Sequence, residues 1–293
     1  MPRISVLMPV YNTKEIYLRE AIESILNQTF ENFELLILDD GSTQQDTINT
    51  IALYKDKDKR IRIIKGEHKG IGAARNRLIK ESCCDICAFM DSDDIALVNR
   101  LEDQFNFLHS NIDIDICGSW YKIIPSNTVI KRKERPTFFD FIEEMSVANP
   151  TLMFRKNIFF KYNLKFNENL STSEDYEFCS RAIRYVSIYN LQKVLLHYRF
   201  LSDSNCHSNP KELQKNDYCI REKMLNFLTH DKNMQNKIIK LLNLNQNKIK
   251  NTIQNIFSLK NEYKNDIKHK IITILGIKIK FRIAQNLARV ERE

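Results

Sequence analysis

Three carboxylates follow an apolar run in the stretch FMDSDD, residues 89–94. Asp91, Asp93 and Asp94 repel one another at this spacing unless a cation lies between them. Mg²⁺ suits such a group, because it binds one or two carboxylates together with substrate phosphates. The spacing predicts a divalent metal site, although a lone D-x-D is also typical of a solvated turn or of the N-cap of a helix, here predicted to begin near Ala96.

A second acidic pair, Asp39 and Asp40, ends the apolar run FELLILDD (33–40). This run and ISVLMPV (4–10) are rich in Val, Ile and Leu and too short for core helices, so both are predicted to be strands buried on two faces. Ligands bind beyond the carboxyl ends of parallel strands. PVYN, DDGS and DSDD should therefore meet at one rim, which favours a metal with a nucleotide over a turn or cap.

Helical and strand patterns alternate over the first 91 residues. Apolar residues at helical spacing predict helices over 14–29, 44–55 and 72–82. Short apolar runs predict further strands over 61–65 and 86–91. The alternation predicts an α/β fold with an open, doubly wound, mostly parallel sheet.

Charge and composition change near residue 210. The net charge is +8, yet residues 211–293 alone contain 18 Lys and Arg against 8 Asp and Glu. A polar segment, SDSNCHSNPKE, lies at the change. The sequence therefore predicts one domain over 1–210 and a basic, mainly helical extension over 211–293.

Several features bear on location. The start, MPRISVLMPVYN, is not expected to be a secretory signal, and no run of about 18 apolar residues could span a membrane. Seven irregularly spaced cysteines are typical of reduced thiols. Cys83, Cys84 and Cys87 contain one C-x-x-C, but no second pair or nearby His completes a zinc site. A cytoplasmic location is expected.

Four segments, in order over the first 95 residues, resemble family 2 glycosyltransferases: ISVLMPVYN, ESILNQTFENFELLILDDGS, GIGAARN and AFMDSDD. TSEDYEF (172–178) is similar to the acidic catalytic motif of that family. The resemblance implies a GT-A fold, with a nucleotide-binding half (1–95) and an acceptor half (96–210). It also implies inverting transfer from a nucleotide-sugar, expected to be a UDP-sugar, with Mn²⁺ or Mg²⁺ as cofactor. The implied acceptor is a glycan or lipid-linked hydroxyl in bacterial surface-polysaccharide or lipooligosaccharide synthesis.

The resemblance also implies roles for individual residues. Those expected at the nucleotide-sugar are Pro9, Val10, Tyr11, Asp40, Arg75, Asn76, Asp91 and Ser92. Among them Tyr11 borders the uracil and Asp40 accepts a hydrogen bond from it. Asp93, with Asp91, is expected to hold the metal, and whether Asp93 or Asp94 is the closer ligand stays open. Asp175 is the expected catalytic base, rather than its neighbour Glu174.

Three other functions compete with glycosyl transfer. Sugar-phosphate nucleotidyltransferases share an α/β sheet and a metal-binding acid, but they open with a Gly-rich loop, whereas PVYNTKE contains no Gly. Binding of nucleic acid would suit the basic extension, but an acidic rim repels phosphate, so no nucleic-acid partner is expected. A non-catalytic protein of the same fold is distinguished by an activity test. The sugar, the acceptor, the oligomeric state and the roles of His197 and His207 stay open.

The extension mixes basic and apolar residues. NKIIKLLNLNQNKIKNTIQNIF (236–257) has helical spacing, and the chain alternates apolar and basic residues after Gly276. One interpretation is that these segments pack on the catalytic domain with a solvated basic face, because charged faces are usually solvated. The alternative is peripheral contact with anionic lipid at the inner face of the cytoplasmic membrane, which would bring the site to a lipid-linked acceptor.

Overall fold

The computed structural model describes residues 1–201, 209–243, 257–264, 267–274 and 277–282. The chain divides into two compact units, Met1–Phe227 and Leu228–Glu293. The predicted boundary near residue 210 coincides with the start of a helix that belongs almost wholly to the first unit.

One mixed sheet forms the centre of the first unit. Its strands are β1 (Ile4–Val10), β2 (Phe33–Asp39), β3 (Ile61–Lys65), β4 (Ile86–Phe89), β5 (Ile95–Ala96), β6 (Ile116–Ile124), β7 (Val129–Ile130), β8 (Met153–Arg155) and β9 (Ile188–Arg199). Their order is β3-β2-β1-β4-β8-β6-β9-β5, with β7 paired to β6. The β1–β2, β1–β4, β2–β3 and β6–β9 pairs are parallel, and the others are antiparallel. The predicted α/β fold with a mostly parallel sheet is confirmed.

Helices alternate with the first strands and continue beyond them. They are α1 (Glu15–Leu26), α2 (Gln45–Lys57), α3 (Ile71–Glu81), α4 (Arg100–Ser110), α5 (Phe138–Glu143), α6 (Asn157–Lys161), α7 (Glu174–Ala182) and α8 (Pro210–Leu228). A short 3₁₀ turn covers Asn149–Thr151. Every residue of β1 and β2 is buried, as expected for strands covered on both faces. Such burial stabilises by about 1.5–3 kcal/mol for each large apolar side chain.

The segment after DSDD differs from the prediction. A helix beginning near Ala96 is wrong, because Ile95 and Ala96 form β5 and pair with β9, so that α4 begins at Arg100. The Arg100 side chain is fully buried, and its Nη2 donates to the Phe89 carbonyl at 2.7 Å. This bond fixes the end of β4, from which the acidic stretch departs.

The second unit contains α9 (Lys232–Asn243) and an antiparallel sheet of β10 (Phe257–Lys264), β11 (Ile267–Ile274) and β12 (Ile277–Arg282). Its described part thus combines a helix with three strands. The helix predicted over 236–257 is described as far as 243, and 244–256 lie outside the described residues. In the described part of the chain, no helix has both the length and the apolar character needed to span a bilayer.

Candidate active site

An open cavity of about 760 Å³ lies at the carboxyl ends of β1, β2 and β4. Most of its lining comes from residues within 9–14, 68–75, 91–93 and 168–174, together with Asp40. The structure brings together in its lining most of the residues that the sequence singled out: Pro9, Val10, Tyr11, Asp40, Arg75, Asp91, Ser92 and Asp93. The polar clusters PVYN, DDGS and DSDD, which lie at the carboxyl ends of β1, β2 and β4, therefore share one rim, as the strand order requires.

Two of the predicted residues lie outside this lining, Asn76 and Asp175. The Asn76 amide donates to the Phe166 carbonyl at 3.0 Å and to Glu168 Oε1 at 2.8 Å, and its oxygen accepts from the Phe166 backbone N–H at 2.8 Å. Asn76 thus holds a wall segment in place. Asp175 lies beside the lining residue Glu174.

Asp93 and Asp94 face different surroundings. Asp93 lines the cavity, whereas Asp94 is 1% exposed and its Oδ1 accepts from the Arg199 backbone N–H at 2.8 Å. Burial, with Asp91 and Asp93 nearby, raises the pKa of Asp94 well above its usual range. Of the two acids, Asp93 is the one placed to meet a ligand in the cavity.

Arg75 connects Asp91 of the DSDD stretch to Glu174 at the start of α7. Its buried guanidinium donates to Asp91 Oδ1 at 3.3 Å and forms a close ion pair with Glu174. With its amide oxygen directed at Arg75, Asn149 accepts from Nη2 at 2.9 Å and from Nε at 3.2 Å. Burial alone lowers the pKa of Arg75, but the carboxylates of Glu174 and Asp91 outweigh burial, so the pKa is raised and the charge is retained.

Glu174 and Asp175, the acid pair, are the first two residues of α7. Ser173, directly before it, has a left-handed backbone with φ 60°, and its hydroxyl makes no capping bond to α7. The Glu174 carboxylate forms a close ion pair with Arg75. Asp175 is half-buried, and its Oδ1 accepts from the Tyr176 backbone N–H at 2.7 Å. Burial, reinforced by the charge of Glu174, raises the pKa of Asp175 to about 7.

Asp40 is held by the chain that follows β3. Its Oδ1 accepts from the Lys69 N–H at 3.0 Å and its Oδ2 from the Gly70 N–H at 2.9 Å. The His68 ring also reaches Asp40, with 2.9 Å between Nδ1 and Oδ2, and stacks on Tyr11 with 3.8 Å between ring centroids. Gly41 has φ 74°, and a Cβ there would lie 2.6 Å from the His68 backbone nitrogen, so this close approach requires glycine.

Further ties among the rim loops were not found by sequence reasoning. The Asn12 side chain accepts from the Thr43 and Gln44 N–H groups at 2.8 and 3.0 Å, which joins the loops after β1 and β2. The Thr13 and Ser92 hydroxyls lie 2.7 Å apart, which joins β1 to the acidic stretch. Lone polar residues in loops carry little signal in one sequence, so only proximity reveals these roles.

Two other candidate ligand groups lie away from the cavity. His197 pairs with Ile95 in the sheet and does not line the cavity. His207 lies outside the described residues. Glu34, Cys83 and Cys84 offer ligand atoms within 4.8 Å of one another. Glu34 is near the start of β2, and the two cysteines come before β4. This group therefore lies at the amino ends of these strands, whereas the cavity lies at their carboxyl ends. Burial and Glu34 raise the pKa of Cys83 to about 12, so its thiol is neutral.

The charge of the cavity lining bears on what it can bind. Its acidic residues are Asp40, Asp91, Asp93, Glu168 and Glu174, and its Lys and Arg residues are Lys14, Lys69 and Arg75. A diphosphate would meet this excess of carboxylates unfavourably without a further cation. Asp91 and Asp93 both line the cavity, and their carboxylate oxygens are hard ligands of the kind that Mg²⁺ and Mn²⁺ prefer, so the residues present suit a divalent ion.

Comparisons with known proteins show the family and the fold of this chain. A profile of Glycosyl transferase family 2 matches residues 5–185. An uncharacterized glycosyltransferase of Methanocaldococcus jannaschii is 36% identical over 226 residues, which are 74% of this chain and 77% of that protein. One of Rickettsia felis is 35% identical over 215 residues, which are 72% of this chain. This chain spans only 35% of the length of that Rickettsia protein.

Solved structures share the fold. The 1–349 part of S. aureus TarS in complex with UDP-GlcNAc superposes with a TM-score of 0.66 at 21% identity, covering 82% of this chain and 71% of that chain. The mannosyltransferase PcManGT from Pyrobaculum calidifontis, in complex with GDP-Man and Mn²⁺, gives a TM-score of 0.56 at 13% identity, covering 70% and 59%. The GT-A fold is confirmed. Because the family profile covers more than half of the sequence, the chain belongs to glycosyl transferase family 2.

Proposed function

We propose that this glycosyltransferase moves a sugar from a UDP-sugar to an acceptor hydroxyl with inversion, using Mn²⁺ or Mg²⁺. The observation that carries the proposal is the buried Arg75, which joins Asp91 of the D-x-D stretch to Glu174 of the acid pair in one cavity. A donor diphosphate and an acceptor hydroxyl need these two regions side by side. The UDP-GlcNAc bound by TarS supports a UDP-sugar donor, and the Mn²⁺ bound with GDP-Man by PcManGT supports a divalent ion.

The test is a donor screen by thermal shift on the full chain with Mn²⁺, comparing UDP-GlcNAc, UDP-glucose, UDP-galactose and GDP-mannose. A ligand that binds only the folded state raises its stability. One UDP-sugar should stabilise selectively, and analysis of its transfer product should show an inverted anomeric centre. Stabilisation by no nucleotide-sugar, or a product with retained configuration, would contradict the proposal.

The proposed transfer is a single displacement. The acceptor oxygen forms a bond to the anomeric carbon, the bond from that carbon to the β-phosphate oxygen breaks, and its electron pair leaves with the diphosphate. Asp175 takes the acceptor proton, for which a carboxyl pKa of about 7 is well matched. A divalent ion bound at Asp91 and Asp93 would supply charge stabilisation to the leaving diphosphate.

The uracil site is proposed to lie at Tyr11 and Asp40, where His68 now lies. The His68 ring covers Tyr11 and contacts Asp40, so a base that uses both groups must first displace it. Displacement is feasible because the His68 side chain is 50% exposed. His68 thereby lowers the apparent affinity for the donor.

His68→Ala is accordingly expected to tighten UDP binding by about two- to tenfold, since a stacked aromatic pair is worth about 0.5–1.5 kcal/mol. Isothermal titration calorimetry with UDP and Mn²⁺ measures the change. His109→Ala is the matched control, because His109 lies on α4 away from the cavity lining. Weaker UDP binding by His68→Ala would show that the ring assists the base instead.

A lipid-linked acceptor for surface-polysaccharide or lipooligosaccharide synthesis is also part of the proposal. The sequence of β12, IKIKFR, alternates apolar residues with Lys or Arg at positions 278, 280 and 282, a pattern typical of an amphipathic strand. Basic residues at a surface contribute about 1 kcal/mol each toward anionic lipid. The second unit is thus suited to peripheral contact with the cytoplasmic leaflet.

Replacing Lys278, Lys280 and Arg282 with Gln in the full chain should weaken binding to anionic vesicles on the order of 100-fold at low salt, from about 3 kcal/mol in total. Vesicle sedimentation measures the loss. A variant with Gln at three exposed lysines of the first unit, Lys55, Lys59 and Lys80, carries the same charge change and should bind as the wild type. Equal binding by both variants would remove this support for a lipid-linked acceptor.

A further inference from the structure

Helix α8 is tied to the segment that leads into the acid pair. The Ser171 hydroxyl donates to Glu212 Oε1 and the Ser173 hydroxyl to Asp217 Oδ1, each at 2.7 Å. Between them, the Asn216 amide donates to the carbonyl and the hydroxyl of Thr172 at 3.2 and 3.1 Å. Three consecutive residues, of which Ser171 and Thr172 line the cavity, are therefore bound by one helix, which lies beyond the residues matched by the family profile.

The last residue of this connection, Ser173, has a strained backbone. Ser173 has φ 60°, in the left-handed region that residues with a Cβ adopt unfavourably. Its hydroxyl does not cap α7 and is used for Asp217 instead. Strained conformations persist where the surroundings over-determine them, and they cluster at functional sites. The Asp217 bond is thus a contact that selects the conformation from which Glu174 and Asp175 project.

Helix α8 is itself held firmly within the first unit. Ile220 and Met224 are 3% and 0% exposed, at the helical spacing that continues the face of Asn216 and Asp217. Near its end, Phe227 packs on Phe138 with 5.8 Å between ring centroids, and the Arg184 guanidinium lies 4.2 Å from the Phe227 ring. A helix anchored in this way can hold the wall segment to a fixed position.

We infer that α8 is part of the catalytic apparatus, and that Asp217 is a positioning residue that aims the acid pair by holding Ser173. This inference rests on the proposed role of Asp175 as the base. It predicts an effect on the chemical step rather than on donor binding, because Asp217 contacts the segment before Glu174 and Asp175. The proposed function assigns that segment to the acceptor and Asp91 to the donor.

Asp217→Ala in the full chain is expected to lower kcat about tenfold, since small misplacements of a catalytic group are costly. The Kd for UDP with Mn²⁺ should stay unchanged. Asp217→Asn should restore most of the activity, because its amide oxygen can still accept from the Ser173 hydroxyl. Gln214→Ala, on the exposed side of the same helix, is the matched control and should behave as the wild type.

A double-mutant cycle tests the pathway through Ser173. Ser173→Ala and Asp217→Ala should each lower kcat, and the double variant should lose little more, because both remove the same bond. Wild-type kcat in Asp217→Ala, or a loss of kcat explained by lower thermal stability and weaker UDP binding, would overturn the inference. Asp175→Asn, assayed in parallel, separates the two hypotheses: if that variant stays active, the proposed base is wrong whatever Asp217 does.

Discussion

Asp175→Asn is expected to lower kcat about 100- to 10,000-fold, the usual contribution of a general base, while the Kd for UDP with Mn²⁺ stays unchanged. Asparagine keeps the size of the side chain and can still accept from the Tyr176 N–H. It cannot take a proton from the acceptor. Rapid-quench or steady-state assays with the donor identified by thermal shift measure kcat, and calorimetry with UDP measures binding.

Glu174→Gln is the matched comparison, and a different failure is expected of it. Glu174 is the close partner of the buried Arg75, so its neutralisation leaves a guanidinium short of a counter-charge. Thermal stability and donor affinity should both fall in this variant, because Arg75 also contacts Asp91. If Glu174→Gln instead loses only kcat and Asp175→Asn stays active, Glu174 is the base.

The pH dependence of kcat/KM follows from the same carboxyl group. The base acts in its deprotonated form, and its pKa is raised to about 7 by burial and by Glu174. The value of kcat/KM should therefore fall about tenfold per pH unit below about 7 and level off above about 8. A flat profile from pH 5 to 8, measured at a constant metal concentration, would contradict this assignment.

The rim itself could be predicted from the sequence because its signals are local. Runs such as FELLILDD combine a two-face strand with the acids that end it, and strand direction then places the acids. Within DSDD, the structure places Arg75 against Asp91, and Asp94 turns away from the cavity into the protein, so part of the charge repulsion is relieved without a metal.

Other features could not be predicted because they depend on distant contacts. His68 contacts Tyr11, 57 positions away, and Asp40, 28 positions away. Ser173 contacts Asp217, 44 positions away. The helix predicted near Ala96 failed for the same reason, since Ile95 and Ala96 pair with β9, which is about 100 residues later in the chain. Local propensity is overridden where a partner strand is available.

Removal of the divalent ion is the second change expected to have a large effect. Turnover should fall at least 100-fold in EDTA, because the cavity lining contains more carboxylates than Lys and Arg side chains, and the leaving diphosphate adds further negative charge. Mn²⁺ or Mg²⁺ in excess should restore it. Full turnover in EDTA would contradict the assignment of Asp91 and Asp93 to a metal.

Asp93→Ala is expected to remove the dependence of UDP binding on Mn²⁺, which calorimetry detects without any turnover. In the wild type, Mn²⁺ should tighten UDP binding at least tenfold, whereas in Asp93→Ala the ion should have little effect. Asp94→Asn is the matched control, because Asp94 does not line the cavity and an amide oxygen can still accept from the Arg199 N–H. If Asp94→Asn loses the Mn²⁺ effect and Asp93→Ala keeps it, the ligand is Asp94, and the acidic stretch must rearrange when the donor binds.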